Sequence, residues 1–167
     1  LVTKECKDMK IDQFRNQQPS LLLEQYFRDK TWAWGIFTDR FGKLRRSFQV
    51  TVDGSIHNNQ LVLDEYFIYD DGETQNRVWQ INCLGDGHYS GTANDIIGEA
   101  KGQAAGNAVN WQYHMLLPVN GLCWKVHFND WIFLQPGQVL INKTQVSKWS
   151  MALGTITLFF SKQAPSL

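Results

Sequence analysis

Residues 44–52 read L-R-R-S-F-Q-V-T-V, and residues 61–69 read L-V-L-D-E-Y-F-I-Y. Apolar side chains recur at every second position in both stretches, which is typical of β-strands that place one face on a core. Turn sequences such as Asp53-Gly54 and Pro136-Gly137 punctuate the chain. Further runs with this pattern lie at 77–83, 111–117, 122–128 and 153–159.

The spacing of these runs predicts the fold class. We expect about nine or ten strands, which follow one another at the 8–12-residue spacing of an all-β sandwich or barrel. No helical pattern of useful length separates consecutive strands, so a parallel sheet is not expected. We predict an antiparallel up-and-down barrel of the lipocalin-like kind, because hairpin follows hairpin and closure removes exposed sheet edges. A β-sandwich is the alternative.

The domain organisation is simple. The chain has 167 residues, the length of one domain. Residues 1–18 are polar and aperiodic, and they are interpreted as an N-terminal tether. Residues 19–167 form one barrel domain, in which Pro19-Ser20 and the apolar residues that follow predict a short helix at about 20–28.

The composition argues against several functions. The 16 Lys and Arg residues balance 16 Asp and Glu, so the chain lacks the positive charge with which proteins attract nucleic acid. No apolar run approaches the roughly 18–20 residues of a membrane-spanning helix. The sequence contains no zinc-binding spacing of Cys and His, no phosphate-binding loop and no nucleophile elbow. We therefore expect neither a metal nor a cofactor, and no catalytic residue is assigned.

Charged residues lie on the apolar faces of the predicted strands, namely Arg46, Glu65 and Arg77. An isolated charge in an apolar interior is too costly, so each must pair, meet water or bind a ligand. One interpretation is a structural Arg–Glu bridge near one end of the barrel. The other is that Arg46 or Arg77 binds the carboxylate or phosphate of an amphipathic ligand. The apolar part of such a ligand would contact the aromatic side chains Trp79, Trp111, Tyr113, Trp124 and Phe128.

Other polar or small residues are given structural interpretations. Gly102 lies on a small-residue strand face, where a bend or the close approach of a backbone or ligand is expected. Asp95 is placed with the charged rim of the hairpin tips, and Asp130 is expected to close a hairpin by capping backbone amides. Cys83 and Cys123 fall on opposite strand faces, so a disulfide between them is not expected.

Several motifs together resemble a known family. They are A-W-G at 33–35, L-D-E-x-F at 63–67, Y-D-D-G-E at 69–73, G-N-A-x-x-W-x-Y at 106–113 and L-I-N at 140–142. The chain resembles an uncharacterised family of Gram-negative bacterial proteins, domains of unknown function that are often classed as lipoproteins. The resemblance runs from about Ile11 to Phe160 and brings no settled activity. Genes of that family often neighbour genes for fatty-acid modification, which favours a lipid ligand.

The resemblance also implies a lipid anchor. In that family the mature chain typically starts at a lipidated Cys, and Cys6 stands at the matching place. An acylated Cys6 would hold the barrel at a membrane surface, in the periplasm and at the outer membrane. Thr3-Lys4-Glu5 departs from the small and apolar residues that usually precede such a Cys.

These observations lead to one leading function and two alternatives. We predict that an envelope-anchored periplasmic barrel, with a monomer favoured, binds a lipid or other amphipathic small molecule without catalysis. The first alternative is a lipid-modifying enzyme of the isomerase, cyclase or hydrolase type that uses Glu65 with Arg46 or Arg77. The second is a barrel filled by its own aromatic side chains, without a ligand.

Overall fold

The computed structural model describes residues 8–119 and 121–165. A 3-10 turn at Ile11–Phe14 and a short helix, α1, at Leu23–Tyr26 precede ten strands. The strands are β1 (Asp29–Asp39), β2 (Leu44–His57), β3 (Gln60–Tyr69), β4 (Thr74–Gly85), β5 (His88–Thr92), β6 (Ile96–Ala105), β7 (Ala108–Val119), β8 (Leu122–Gln135), β9 (Val139–Lys148) and β10 (Met151–Ser161).

The strands form one closed barrel. Each strand pairs antiparallel with its neighbours in the chain, and β1 closes the barrel by pairing with β10. The predicted all-β, antiparallel up-and-down barrel is therefore confirmed, and it fits the lipocalin-like description. Closure leaves no sheet edge to pair with another chain, which explains why the pattern of successive hairpins is stable.

Alternation along each strand separates the interior from the outer wall. Along β9, Leu140, Asn142, Thr144 and Val146 are buried, whereas the residues between them are more exposed. Such period-two burial requires the even-numbered side chains of β9 to point inward. The same alternation places Arg46, Glu65 and Arg77 on the inward faces of their strands, as the sequence pattern predicts.

The N-terminal segment seals one end of the barrel. Leu21, Leu23 and Phe27 are buried, and the backbone N–H of Leu21 donates to the carbonyl of Gly106 at 2.8 Å. The hydroxyl of Tyr26 donates to the carbonyl of Gln138 at 2.9 Å. Because Gly106 and Gln138 belong to hairpins at the same end, this segment acts as a lid, and we call this end the closed end.

Gly54 shows why the lid can approach so closely. A Cβ atom at this position would lie 1.6 Å from the carbonyl oxygen of Phe27. Only glycine leaves that space free. The prediction of a turn at Asp53-Gly54 is therefore wrong, because β2 continues through both residues to His57. Glycine marks a backbone contact here rather than a chain reversal.

Within residues 8–18, treated in the sequence as part of a tether, Phe14 packs on the outer wall. The ring of Phe14 packs 5.4 Å from that of Phe133 and 5.9 Å from that of Trp131. The helix expected at about 20–28 is shorter, at Leu23–Tyr26. Within 8–119 and 121–165, no helix is long and apolar enough to cross a bilayer. Cys6 lies outside the described residues.

The opposite end of the barrel is open to solvent. Most of its inward-facing aromatic side chains are half-buried, whereas Leu61, Ile81 and Leu140 near the lid are buried. These aromatic side chains therefore keep part of their surface in contact with solvent. We call this end the open end, and its apolar lining comprises Phe37, Phe48, Phe67, Tyr69, Leu117, Trp124 and Ile156.

Candidate functional site

An ionic group lies inside the barrel below the open end. Glu65 and Arg77 are register partners on β3 and β4, and both side chains point inward. Arg77 donates from Nη2 to Oδ2 of Asp95 at 2.7 Å and from Nε to the same oxygen at 3.0 Å. Its Nη1 lies 3.9 Å from Oε2 of Glu65. The closer partner of Arg77 is thus Asp95, from the turn between β5 and β6, and not Glu65.

A third carboxyl group, Asp130, lies deeper in the interior. It is buried on the inward face of β8 and accepts a hydrogen bond from the hydroxyl of Thr144 on β9. The expectation that Asp130 closes a hairpin is wrong, because β8 continues to Gln135. We call Glu65, Arg77, Asp95 and Asp130 the carboxylate cluster.

Burial sets the ionisation of this cluster. It raises the pKa of Glu65 to about 7, although the positive charge of Arg77 acts in the opposite direction. It also raises the pKa of Asp130 to about 7, against the hydrogen bond from Thr144 and the charge of Arg77. Burial opposes the charge of Arg77, but Glu65 and Asp95 raise its pKa above the ordinary value. Arg77 is therefore permanently charged, while Glu65 and Asp130 exchange protons near neutral pH.

Solvent reaches part of the cluster. The side chains of Arg77, Glu65 and Asp95 are 15%, 16% and 27% exposed, whereas Asp130 is buried. A molecule that enters through the open end would meet Asp95, Arg77 and Glu65 before Asp130. Carboxyl groups with shifted pKa values at a reachable site are characteristic of functional centres.

Four of the predicted ligand contacts form a packed aromatic layer. Trp79 lies 5.5 Å from Trp111 and 5.3 Å from Tyr113, and Tyr113 stacks on Phe128 at 5.0 Å, measured between ring centroids. All four are buried. The structure thus brings these side chains together inside the barrel, where they pack on one another. Their contact with a ligand stays a prediction.

The small-residue strand face contributes to the same layer. A Cβ atom at Gly102 would lie 2.3 Å from Cε3 of Trp111, and one at Gly91 would lie 2.8 Å from Cη2 of the same ring. Trp111 therefore occupies the space that two glycines leave on β5 and β6. The close approach expected at Gly102 is made by a side chain of the barrel itself.

Arg46 and Trp124 lie at the rim of the open end, apart from the carboxylate cluster. Arg46 pairs with Asp71 at 2.7 Å and with Glu73, and its guanidinium stacks 3.6 Å from the ring centroid of Tyr69. These acidic partners raise the pKa of Arg46. Arg46, on β2, is therefore already paired with the two acidic residues Asp71 and Glu73 of the turn between β3 and β4. Trp124 is covered by the ammonium group of Lys148 at 3.6 Å.

From the sequence, Asp95 and Asp130 are given structural roles only, and neither Asn142 nor Thr144 is singled out. The alternation that placed Glu65 inside also places Asp130 inside, because Phe128 and Ile132 flank it at two-residue spacing. That signal was available from the sequence. The role of Asp95 could not be read from the sequence. A residue in a turn does not follow the inward–outward alternation of a strand, and the contact of Asp95 with Arg77 depends on how the hairpins come together in the barrel.

The outer wall carries a separate apolar groove. It has a volume of about 490 Å³ and crosses β10, β1, β2 and β3. The side chains that form its walls include Trp34, Ile36, Ile68 and Phe159, which point outward by strand parity. Phe48 and Tyr69, which also belong to the lining of the open end, border this groove, but no residue of the carboxylate cluster does.

Other reactive side chains show no assembled site. Cys83 and Cys123 are both free thiols, which confirms that they are not bridged. His114 and His127 lie side by side on paired strands, 4.9 Å between ring centroids. Across the described part of the chain, no group of three or more His, Cys, Asp and Glu side chains is arranged to hold a metal ion.

Comparisons with known proteins give a family without an activity. A family model described as "Protein of unknown function (DUF3833)" matches residues 1–162. No curated protein is similar enough to count as a relative. The match extends over nearly the whole chain and includes both the barrel and its N-terminal lid.

Proposed function

We propose that this chain, which belongs to the family of unknown function DUF3833, binds a lipid or other amphipathic small molecule at the open end of its barrel. The observation that carries the proposal is the contrast between the two ends. The inward-facing rings of Phe48, Phe67 and Trp124 are half-buried at the open end, whereas Leu21, Leu61 and Leu140 are buried at the closed end. The apolar part of a ligand would lie among the rings of the open end, and its polar head would meet the carboxylate cluster.

The apolar lining supplies enough free energy for useful affinity. Each methylene group removed from water contributes about 0.8 kcal/mol. Burying roughly six methylenes would contribute about 5 kcal/mol before the costs of association. Phe48, Phe67 and Trp124 present apolar surface of the kind that an alkyl chain contacts. No covalent chemistry is needed for binding of this type.

Native mass spectrometry of gently purified protein, with and without bacterial lipid extract, tests the proposal. We expect a discrete added mass that dissociates as a single-chain lipid or a related amphiphile. The substitution Phe67→Asp places a charge in the apolar lining and should abolish that mass. Ile68→Asp is the matched control, because Ile68 is the next residue on β3 and faces the outer groove.

The pair of variants also locates the site. Loss of the added mass in Ile68→Asp, with retention in Phe67→Asp, would place the ligand in the outer groove and contradict binding at the open end. A second pair of variants keeps the test decisive if a variant of the first pair fails to fold. Leu117→Gln should weaken binding, whereas the exposed neighbour Leu116→Gln should not. A clean apoprotein mass under all conditions would favour the filled-barrel alternative.

An enzyme is the second candidate function, and one observation favours it. Glu65 has a pKa of about 7 and is partly exposed to solvent, as a general acid or base requires. Arg77, 3.9 Å away, would stabilise negative charge that develops on a substrate. Mass analysis of lipids incubated with the protein should then show a changed product that Glu65→Gln fails to make. If the lipids are unchanged after incubation, the enzyme proposal is contradicted, and binding without catalysis remains the proposed function.

We also propose, from the family resemblance, that acylation of Cys6 anchors the barrel on the periplasmic face of the envelope. Labelling cells with an alkyne fatty acid should then label the native protein and not the Cys6→Ser variant. Equal labelling of both proteins, or labelling of neither, would contradict the anchor.

A further inference from the structure

We infer that the polar head of the bound molecule is a hydrogen-bond donor that carries positive charge, an alkylammonium group, and not a carboxylate or phosphate. This inference rests on the proposed function, because it assigns the head group of the molecule that enters the open end.

The charge balance of the cluster supports the inference. Three carboxyl groups, those of Glu65, Asp95 and Asp130, share one guanidinium group, that of Arg77. Arg77 already holds Asp95 by two short hydrogen bonds. Ionised Glu65, 3.9 Å from Nη1 of Arg77, and ionised Asp130 therefore share with Asp95 the single cation of the cluster. With all three carboxyls ionised, the net charge of the cluster is −2. An anionic head group would raise it to −3, whereas an ammonium group would lower it to −1.

A buried acceptor without a partner points the same way. Asn142 is 7% exposed on the inward face of β9, and its Oδ1 has no hydrogen-bond partner among the described residues. Its side chain also lowers the pKa of Asp130, so it faces that part of the cluster. Leaving a buried acceptor without a donor is costly. An N–H group of a ligand would satisfy it, and a carboxylate would not.

Aromatic rings around the cluster also suit a cation. The guanidinium of Arg77 already lies 5.4 Å from the ring centroid of Phe67, so this surface accepts positive charge. Tyr113 stacks on Phe128, and burial together with the negative charges of Asp130 and Glu65 raises the pKa of its hydroxyl. The negative face of such rings attracts ammonium groups.

The pH dependence follows from the ionisation of the cluster. Glu65 and Asp130 each have a pKa of about 7, so both lose protons as the pH rises through neutrality. An ammonium head, charged up to about pH 10, should then bind more tightly, and a carboxylate less tightly. The charged and polar groups that face these two carboxyls are Arg77 on β4, Asp95 in the β5–β6 turn, Tyr113 on β7, and Asn142 and Thr144 on β9.

Isothermal titration with decylammonium, decanoate and decanol, at pH 6 and pH 8 and equal ionic strength, tests the inference. We expect decylammonium to bind at least ten-fold more tightly than decanoate at pH 8 and to lose part of that advantage at pH 6. Binding of decanoate as tight as that of decylammonium would overturn the inference and leave the proposed function intact. Failure of all three probes to bind would overturn both.

Two variants assign the effect to the cluster. Glu65→Gln and Asp130→Asn should each reduce the preference for decylammonium and flatten its pH dependence. Glu99→Gln is the control, because Glu99 is exposed on β6. If Asp130→Asn fails to fold, Glu65→Gln alone decides. An unchanged preference in a folded Glu65→Gln protein would contradict the assignment.

Discussion

At the scale of single residues, strand parity predicted which charges enter the barrel but not how they pair. Arg46, Glu65 and Arg77 all lie on the inward faces, because alternation leaves a strand residue only two directions. Their partners depend on three-dimensional closure. Arg46 is neutralised by the acidic hairpin tip beside it, and Arg77 by Asp95 from a different hairpin. No local pattern encodes the second pairing.

Glu65→Gln should stabilise the protein at high pH. Folding raises the pKa of Glu65 from 4.5 to about 7, so the native state holds a proton that the unfolded state has lost between these values. Wild-type stability therefore falls as the pH rises from about 4.5 to 7, and glutamine removes that loss. We expect a gain on the order of 2 kcal/mol at pH 8 and almost none at pH 4.

Urea denaturation at pH 4, 6 and 8 measures this difference. Asp64→Asn is the control, because Asp64 is exposed on the outer face of the same strand and should show no such trend. A lower stability of Glu65→Gln at pH 8 would mean that Arg77 stabilises the ionised form of Glu65 more than burial penalises it.

At the scale of elements, period-two patterns predicted the strands, whereas the glycine positions did not by themselves distinguish turns from strands. Asp53-Gly54 has the composition of a turn but lies within β2, because Gly54 admits the carbonyl of Phe27. Gly102 was correctly placed in a strand, where it makes room for Trp111. A glycine can either form a turn or leave space for a group that is distant in the sequence. Which of the two occurs depends on tertiary contacts that the sequence pattern does not show.

Gly102→Ala should destabilise the barrel through Trp111. The new Cβ atom would lie 2.3 Å from the indole ring, which is fixed in a buried aromatic layer. We expect a loss of about 2 kcal/mol in the free energy of unfolding, as is typical of an overpacked core. In a Trp111→Leu background the same substitution should cost less than about 1 kcal/mol. Equal costs in both backgrounds would contradict the proposed contact.

At the scale of the whole molecule, the number, direction and order of the strands followed from the sequence, but the difference between the two ends did not. The lid closes one end because Leu21, Leu23 and Phe27 are buried there. Helical periodicity predicted a short helix without indicating which end it covers. That asymmetry leaves Arg77, Glu65 and Asp95 partly exposed towards one end, which makes this inward-facing ionic group a candidate binding site.

The most direct test of binding at the open end is a crystal structure of the protein with 10-bromodecylammonium, in which anomalous scattering locates the bromine. We expect the bromine among the rings of Phe48, Phe67 and Trp124, with the ammonium group within hydrogen-bond distance of Glu65 or Asp130. A bromine peak in the outer groove beside Trp34 and Phe159 would contradict this placement and identify the outer wall as the binding surface.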